Sequence, residues 1–256
     1  MATNGHVAKS SGMGKRIRID ITSDVVCPFC VIGMRQLLIA LEKYAMVHPS
    51  EPIIPEIRFL PFQLAWNLTE QPEDRIESRR RRLGVDKADA VQLSLTKKMQ
   101  DVGLTYAQSG PISSTHLAHR LQSYTLLHHP SRQFDLAMDL LVAYHIDGCH
   151  PSDRNLLAYL AVEHGIFASG AIAMAWLAGS EFDAEVKLAY GSANRLGITG
   201  VPFFVFEDKW AASGALSVDG FLQLFDEVIR REDENGSMIR SPTSTLAKPE
   251  LAILKK

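Results

Sequence analysis

The chain has 256 residues, 46% of them hydrophobic, and a formal charge of -2. That is enough apolar material for a sizeable core in one or two domains, and the near-neutral balance offers no basic field for nucleic acid. No uncharged apolar run is long enough to span a membrane, and three cysteines are too few for a disulfide scaffold.

Residues 1–15 are rich in small residues, Gly, Ser and Lys, and have no apolar run. They read as a flexible leader rather than a secretory signal, which makes cytoplasmic the default location. Ile17, Ile19 and Ile21, with Val25 and Val26, read as a buried strand. Next comes Cys27-Pro28-Phe29-Cys30, which opens a helical run from Val31 to Tyr44 with Leu37, Leu38, Leu41 and Tyr44 on one face. His48-Pro49 ends that run. Ile53 to Phe62 reads as a second strand.

From Pro72 the pattern becomes helical. Asp74–Leu83 is charged and ends at Gly84, and the Arg79–Arg82 run within it reads as a solvated face. Apolar residues at helical spacing follow in four groups, around Val91–Val102, Leu117–Leu127, Phe134–His145 and Leu156–His164. Trp176 and a helix over Glu181–Leu196 complete the block. Strand character returns at Pro202–Phe206, with a turn at Glu207-Asp208-Lys209 and a returning strand Trp210–Ser213. Val218–Ile229 is an amphipathic closing helix, and 233–256 reads as a mobile tail. The simplest architecture is one α/β domain (16–70 and 190–232) interrupted by an all-helical insertion (71–189).

The chemistry sits in the two cysteines at CxxC spacing. Cys27 falls at the start of a helix, where unpaired N–H groups and the helix dipole favour a thiolate. A CxxC beside a strand–helix pattern in an intracellular chain is a redox signal, with Cys27 as the attacking thiol and Cys30 as the resolving one. Structural zinc would need four ligands, and Cys149-His150 could supply a second pair only if folding brought it to Cys27, so no metal is expected. Cys149 itself reads as a lone thiol in a loop. There is no P-loop and no Gly-rich dinucleotide fingerprint, so no bound cofactor is expected.

Four motifs together resemble the DsbA-like thioredoxin family, and within it the FrnE-like oxidoreductases associated with polyketide biosynthesis. They are Ser23-Asp24-Val25-Val26-Cys27-Pro28-Phe29-Cys30 with Ile32-Gly33, then Pro61-Phe62-Gln63-Leu64, then Ala118-His119-Arg120-Leu121, and finally Gly197 to Phe206 leading to Ser213-Gly214-Ala215. The resemblance implies a thioredoxin-like fold split by a helical insertion, with a cis peptide before Pro202 lying against the dithiol. It gives Val201 and Pro202 a role in binding an extended substrate. Pro28, Phe29 and His119 join them as candidate substrate contacts. Trp210 reads as a further surface contributor near the dithiol. Many thioredoxin-like enzymes carry an acid six positions before the first cysteine; here that position is Ile21. Asp24 is the nearest candidate for proton transfer, although a short acid there is otherwise a loop residue or helix cap. His116, His128, His129, His145 and His164 read as surface or packing residues.

The expected function is thiol–disulfide exchange on a protein or small-molecule substrate, with glutathione or a dithiol protein as redox partner. Two rivals stand beside it. One is a glutathione-dependent isomerase or transferase of the kappa-class or hydroxychromene-carboxylate isomerase type, which typically carries a serine in place of the complete CxxC. The other is a peptide-binding, chaperone-like module.

Overall fold

A computed structural model describes residues 14–234 and the backbone of 252–253. The expected leader up to residue 13 and most of the expected tail lie outside the described residues. The first strand, β1 (Lys15–Ser23), alternates Ile17, Ile19 and Ile21 with polar side chains, the period that sends successive residues to opposite faces. Asp20 and Thr22 on the other face are also buried, because β1 is an inner strand of the sheet.

β1 pairs in parallel with β2 (Ile53–Pro61) and antiparallel with β5 (Phe203–Phe206). The antiparallel strand β6 (Trp210–Ser213) follows. Most of the 233–256 stretch is not described, but Asp233 and Glu234 close the last helix and β7 (Ala252–Ile253) pairs in parallel with β6. The register lines up Phe59, Ile21 and Phe204 in one row across three strands. The helix α1 (Pro28–Val47) makes the crossover that the parallel β1–β2 pair requires. It buries Cys30, Met34, Leu37, Ala40 and Tyr44, and Tyr44 meets Phe225 of α9 (Val218–Glu234) edge-on at 5.9 Å.

Between β2 and β5 lie β3 (Glu73–Asp74), α2 (Arg75–Leu83), α3 (Val85–Asp101) and β4 (Pro111–Ile112), followed by α4 (His116–His128), α5 (Pro130–His145), α6 (Arg154–Glu163), α7 (Gly170–Ala178) and α8 (Asp183–Arg195). The expectation of an all-helical insertion needs correcting, since β3 and β4 form an antiparallel ribbon. Two residues per strand are too few for alternation to show in a sequence. The domain boundary expected at 189/190 falls inside α8, which runs on to Arg195. Asp74 and Asp153 start α2 and α6 as N-caps, each accepting two backbone N–H bonds. Arg75 is buried, and its guanidinium donates to the carbonyls of Tyr144, Ala107 and Ser109, tying the ribbon to the end of α5.

β2 has a free edge on the side away from β1. Gln133 of α5 closes it: its amide accepts from Phe59 N–H at 2.9 Å and donates to Phe59 C=O at 2.8 Å, as a neighbouring strand would. One apolar core joins the sheet to α1, α9 and parts of α3 and α5. A second fills the helical block between α4, α5, α6 and α7. β1 ends at Ser23 rather than Val26, because the chain turns there and sends Val25 into the second core while Cys27 enters the first.

Candidate dithiol site

Cys27 is the N-cap residue of α1 and Pro28 its first helical residue. Proline is at home there because the N–H it lacks would have no intrahelical partner. Cys27 N–H donates to Asp24 C=O and Cys30 N–H to Cys27 C=O, both at 3.0 Å, which holds the loop in a tight double turn. The two cysteines lie 3.6 Å apart as free thiols. Cys30 has no exposure and Cys27 retains 3%, so Cys27 is the more accessible of the two. Burial pushes the Cys30 thiol well above its ordinary range, and the neighbouring Cys27 sulfur adds to the effect.

The facing segment is the loop before β5. The Val201–Pro202 peptide is cis, and Cys27 Sγ–H donates to Val201 C=O at 3.3 Å. Pro202 C=O accepts from Gly214 N–H at 2.8 Å. Gly33 explains how α1 comes so close: a Cβ there would lie 3.1 Å from Pro202 Cγ and 3.4 Å from Ala215. Phe29 and Leu64 are exposed apolar side chains, Phe29 between the two cysteines and Leu64 in the segment that follows β2.

Asp24 is fully buried, not the exposed loop acid or helix cap that its sequence position suggests. Its Oδ2 accepts Leu64 N–H at 2.7 Å and its Oδ1 accepts Val26 N–H at 3.5 Å. Burial raises its carboxyl from 3.8 to about 6, against the opposing pull of hydrogen bonds from Leu64, Thr115, Val26 and Val25. His119 Nε2 lies 3.5 Å from Asp24 Oδ1 without hydrogen-bond geometry. His119 Nδ1 is 2.7 Å from Tyr190 Oη. Burial first, and His116 second, lower this imidazole to about 3, so it is neutral.

Sequence reasoning missed three of the residues gathered here. Tyr190 of α8 touches both His119 and, at 3.3 Å, His116. His116 is therefore part of a polar cluster, and its Nε2 sits 2.8 Å from Asp183. His145 is fully buried, against the backbone of Val25 and Cys27. Burial and then the charge of Arg75 hold it to about 3, partly offset by the backbone of Val25 and Cys27, which places it under the dithiol loop. Their signal was weak, since a tyrosine or histidine on a helical face looks the same whether it meets solvent or a buried acid.

Trp210 does not join the site. It stands at the other end of the β5–β6 hairpin, paired with Phe206, its Nε1 directed at Glu232 and its ring under Arg231. Cys149 is half-buried on the α5–α6 connection, where burial and the charges of Asp147 and Asp153 raise its thiol. Among the described residues no group of three or more His, Cys, Asp or Glu is arranged to hold a metal ion.

A split thioredoxin-like sheet, a helical block between its halves and a CxxC at a helix start define a thioredoxin-fold protein of the DsbA type. The family model for the DSBA-like thioredoxin domain matches residues 18–226, and the chain belongs to that family. Among solved structures the fold is similar to a probable DsbA oxidoreductase from Streptomyces coelicolor, at 23% identity and a TM-score of 0.69 over 90% of this chain and 94% of that one. It is also similar to a 2-hydroxychromene-2-carboxylate isomerase, with 14% identity, a TM-score of 0.57 and coverage of 87% and 100%. The cytosolic disulfide reductase DsbM from Pseudomonas aeruginosa matches at 16% identity and a TM-score of 0.53, over 84% and 99%. No curated protein matched the chain. No helix among the described residues is long and apolar enough to cross a membrane.

Proposed function

We propose that this chain is a cytosolic thiol–disulfide oxidoreductase that works through Cys27 and Cys30. The observation that carries the reading is Cys27 at the α1 N-cap, 3.6 Å from Cys30, with its sulfur hydrogen-bonded to the Val201 carbonyl. Cys27 as thiolate attacks a substrate disulfide, forming the mixed disulfide and releasing one substrate thiolate. Cys30 then loses its proton and attacks the Cys27 sulfur. The Cys27–Cys30 disulfide forms and the second substrate thiolate leaves. The raised Cys30 thiol makes a proton acceptor necessary at this step, and we assign that role to Asp24, with His119 beside it.

Pro28, Phe29, Leu64, Val201 and Pro202 bound the approach to Cys27, and the Val201 backbone is suited to pair with an extended segment. Electrons return from glutathione or a dithiol protein; the Pseudomonas reductase that shares the fold has also been solved with glutathione. The motif order points to the FrnE-like group within the family. A cytosolic setting is in keeping with the cytosolic reductase that shares the fold.

Insulin reduction against glutathione conjugation tests the reading. Cys27→Ser should abolish disulfide turnover. Cys30→Ser should accumulate a covalent substrate adduct visible by mass spectrometry. A Cys30→Ser protein that turns over at the wild-type rate and traps nothing, or conjugation that survives Cys27→Ser, would refute it.

A further inference from the structure

The polar side chains behind the dithiol form a line rather than a cluster. Asp24 Oδ1 lies 3.5 Å from His119 Nε2, His119 Nδ1 lies 2.7 Å from Tyr190 Oη, Tyr190 Oη lies 3.3 Å from His116 Nδ1, and His116 Nε2 lies 2.8 Å from Asp183 Oδ1. The line begins at a carboxylate with no exposure and ends at one whose side chain is 36% exposed. It crosses from the dithiol loop through α4 to α8. We propose that these five side chains are a proton path between the buried Asp24, whose backbone carbonyl holds the Cys27 N–H, and solvent, with Tyr190 and His116 as its relay residues. The inference rests on the thiol–disulfide reading above, from which it takes the proton that Cys30 must lose.

The hydrogen-bonding capacity of the groups supports two complete arrangements. With Asp24 protonated, its O–H donates to His119 Nε2, His119 Nδ1–H to Tyr190 Oη, Tyr190 O–H to His116 Nδ1 and His116 Nε2–H to Asp183. With Asp24 ionised every bond reverses up to His116: His116 Nδ1–H donates to Tyr190 Oη, Tyr190 O–H to His119 Nδ1, and His119 Nε2–H to Asp24. His116 then carries protons on both nitrogens, next to the Asp183 carboxylate. The two arrangements differ by the transfer of one proton from Asp24 to His116.

His119 stays neutral throughout and only exchanges tautomers, which suits a buried imidazole held to about 3. Tyr190 is likewise never ionised, in keeping with a phenol raised by burial and by the charges of Asp24 and Asp183. Apart from the Asp24 carboxylate, His119 Nε2 has no hydrogen-bond partner among the described residues, so a small closure of the 3.5 Å gap completes the line. At the outer end Lys187 Nζ is 2.8 Å from Asp183 Oδ2 and holds that carboxyl below its ordinary range, with His116 adding to the effect. Arg120 also interacts with the Asp183 charge. Thr115 and the N–H groups of Leu64, Val26 and Val25 also meet the Asp24 carboxyl.

In the resolving step the proton that Cys30 loses is taken up by ionised Asp24 as the Cys30 sulfur bonds to Cys27 and the substrate thiolate leaves. The proton then passes from Asp24 through His119 and Tyr190 to His116 and is lost to solvent beside Asp183. Atoms and electrons balance with the substrate disulfide as the only oxidant.

The experiment follows the His119 imidazole by nitrogen-15 NMR in the full-length reduced protein, through the range where Asp24 titrates, near pH 6. The expected result is a change from Nδ1–H to Nε2–H as pH rises, without an imidazolium signal. In parallel, single-turnover resolution of a mixed disulfide is measured in light and heavy water. Tyr190→Phe keeps the ring and should slow resolution roughly ten-fold, a modest share of what positioned proton transfer contributes, with a larger solvent isotope effect. The Cys27–Cys30 equilibrium with glutathione should not move. His116→Gln, at a half-buried position, should do the same and replaces the first variant if that one does not fold. A single His119 tautomer across the range would overturn the proposal, as would wild-type resolution rates and isotope effects in the folded variants. If wild-type protein forms no mixed disulfide, the functional reading fails instead, and the NMR result still decides whether the proton path exists.

Discussion

Replacing Asp24 by Asn should change how stability depends on pH. Asp24 is fully buried and its carboxyl is raised from 3.8 to about 6. The folded protein therefore binds this proton more tightly than the unfolded chain does. Below 3.8 both states are protonated. As pH rises from there to about 6 the unfolded chain releases the proton first, and stability falls. The gap of about two pH units corresponds to about 3 kcal/mol at ~1.4 kcal/mol per unit. Wild-type protein should carry this penalty in full above about pH 6, and Asp24→Asn should not. Asn still offers an oxygen to Leu64 N–H, so the hydrogen bond from the segment after β2 survives. The buried His145, lowered to about 3, acts in an overlapping window with the opposite sign in both proteins. Urea unfolding across the range gives the difference curve directly. It should rise by about 3 kcal/mol in favour of the variant, while disulfide turnover by the variant falls. Parallel stability curves would show that Asp24 is not buried as an acid, and the reasoning about its proton would fail with it.

Three further outcomes follow from the packing. Gln133→Ala should destabilise by ~2–4 kcal/mol in denaturant unfolding, because it leaves the buried Phe59 N–H and C=O without their partner; a loss under about 0.5 kcal/mol, the scale of an ordinary surface change, would mean that the β2 edge finds another partner. His145 is neutral when folded, with its imidazole lowered from 6.5 to about 3, so stability should fall as pH drops through that window, by about 5 kcal/mol at its lower end; His145→Leu should flatten this acid limb, and an unchanged limb would contradict the burial. Cys149→Ala should keep wild-type turnover in the insulin assay, since Cys149 lies outside the dithiol site; a folded variant without activity would bring a third thiol into the mechanism.

The parts of the molecule that were legible in the sequence are those whose signals are local. The Glu207–Lys209 turn and the Trp210–Ser213 strand stand where the residue pattern put them, because turn chemistry and alternation are written within a few positions. The CxxC was legible for the same reason. Asp24 was not, since its burial depends on Leu64, after β2, and on Thr115 and His119, at the start of α4. Trp210 was misplaced because proximity to Pro202 in sequence says nothing about which end of a hairpin a residue occupies. The β3–β4 ribbon escaped because four residues carry no period. Periodicity tells which side of an element is apolar, and it does not tell which distant polar group that side will meet.

The short loop from Asp24 to Cys27 is anchored at two points, with Val25 fixed in the helical core and Cys27 in the sheet core. A rivet through two plates behaves in this way. The helical block cannot swing over the sheet as a free lid without dragging the reactive sulfur along. A substrate that needs more room must gain it from outward side chains such as Phe29 and Leu64. Conversely, a partner that strains the helical block from outside would register at the dithiol, so mechanical or binding events remote from Cys27 have a short, stiff route to its chemistry.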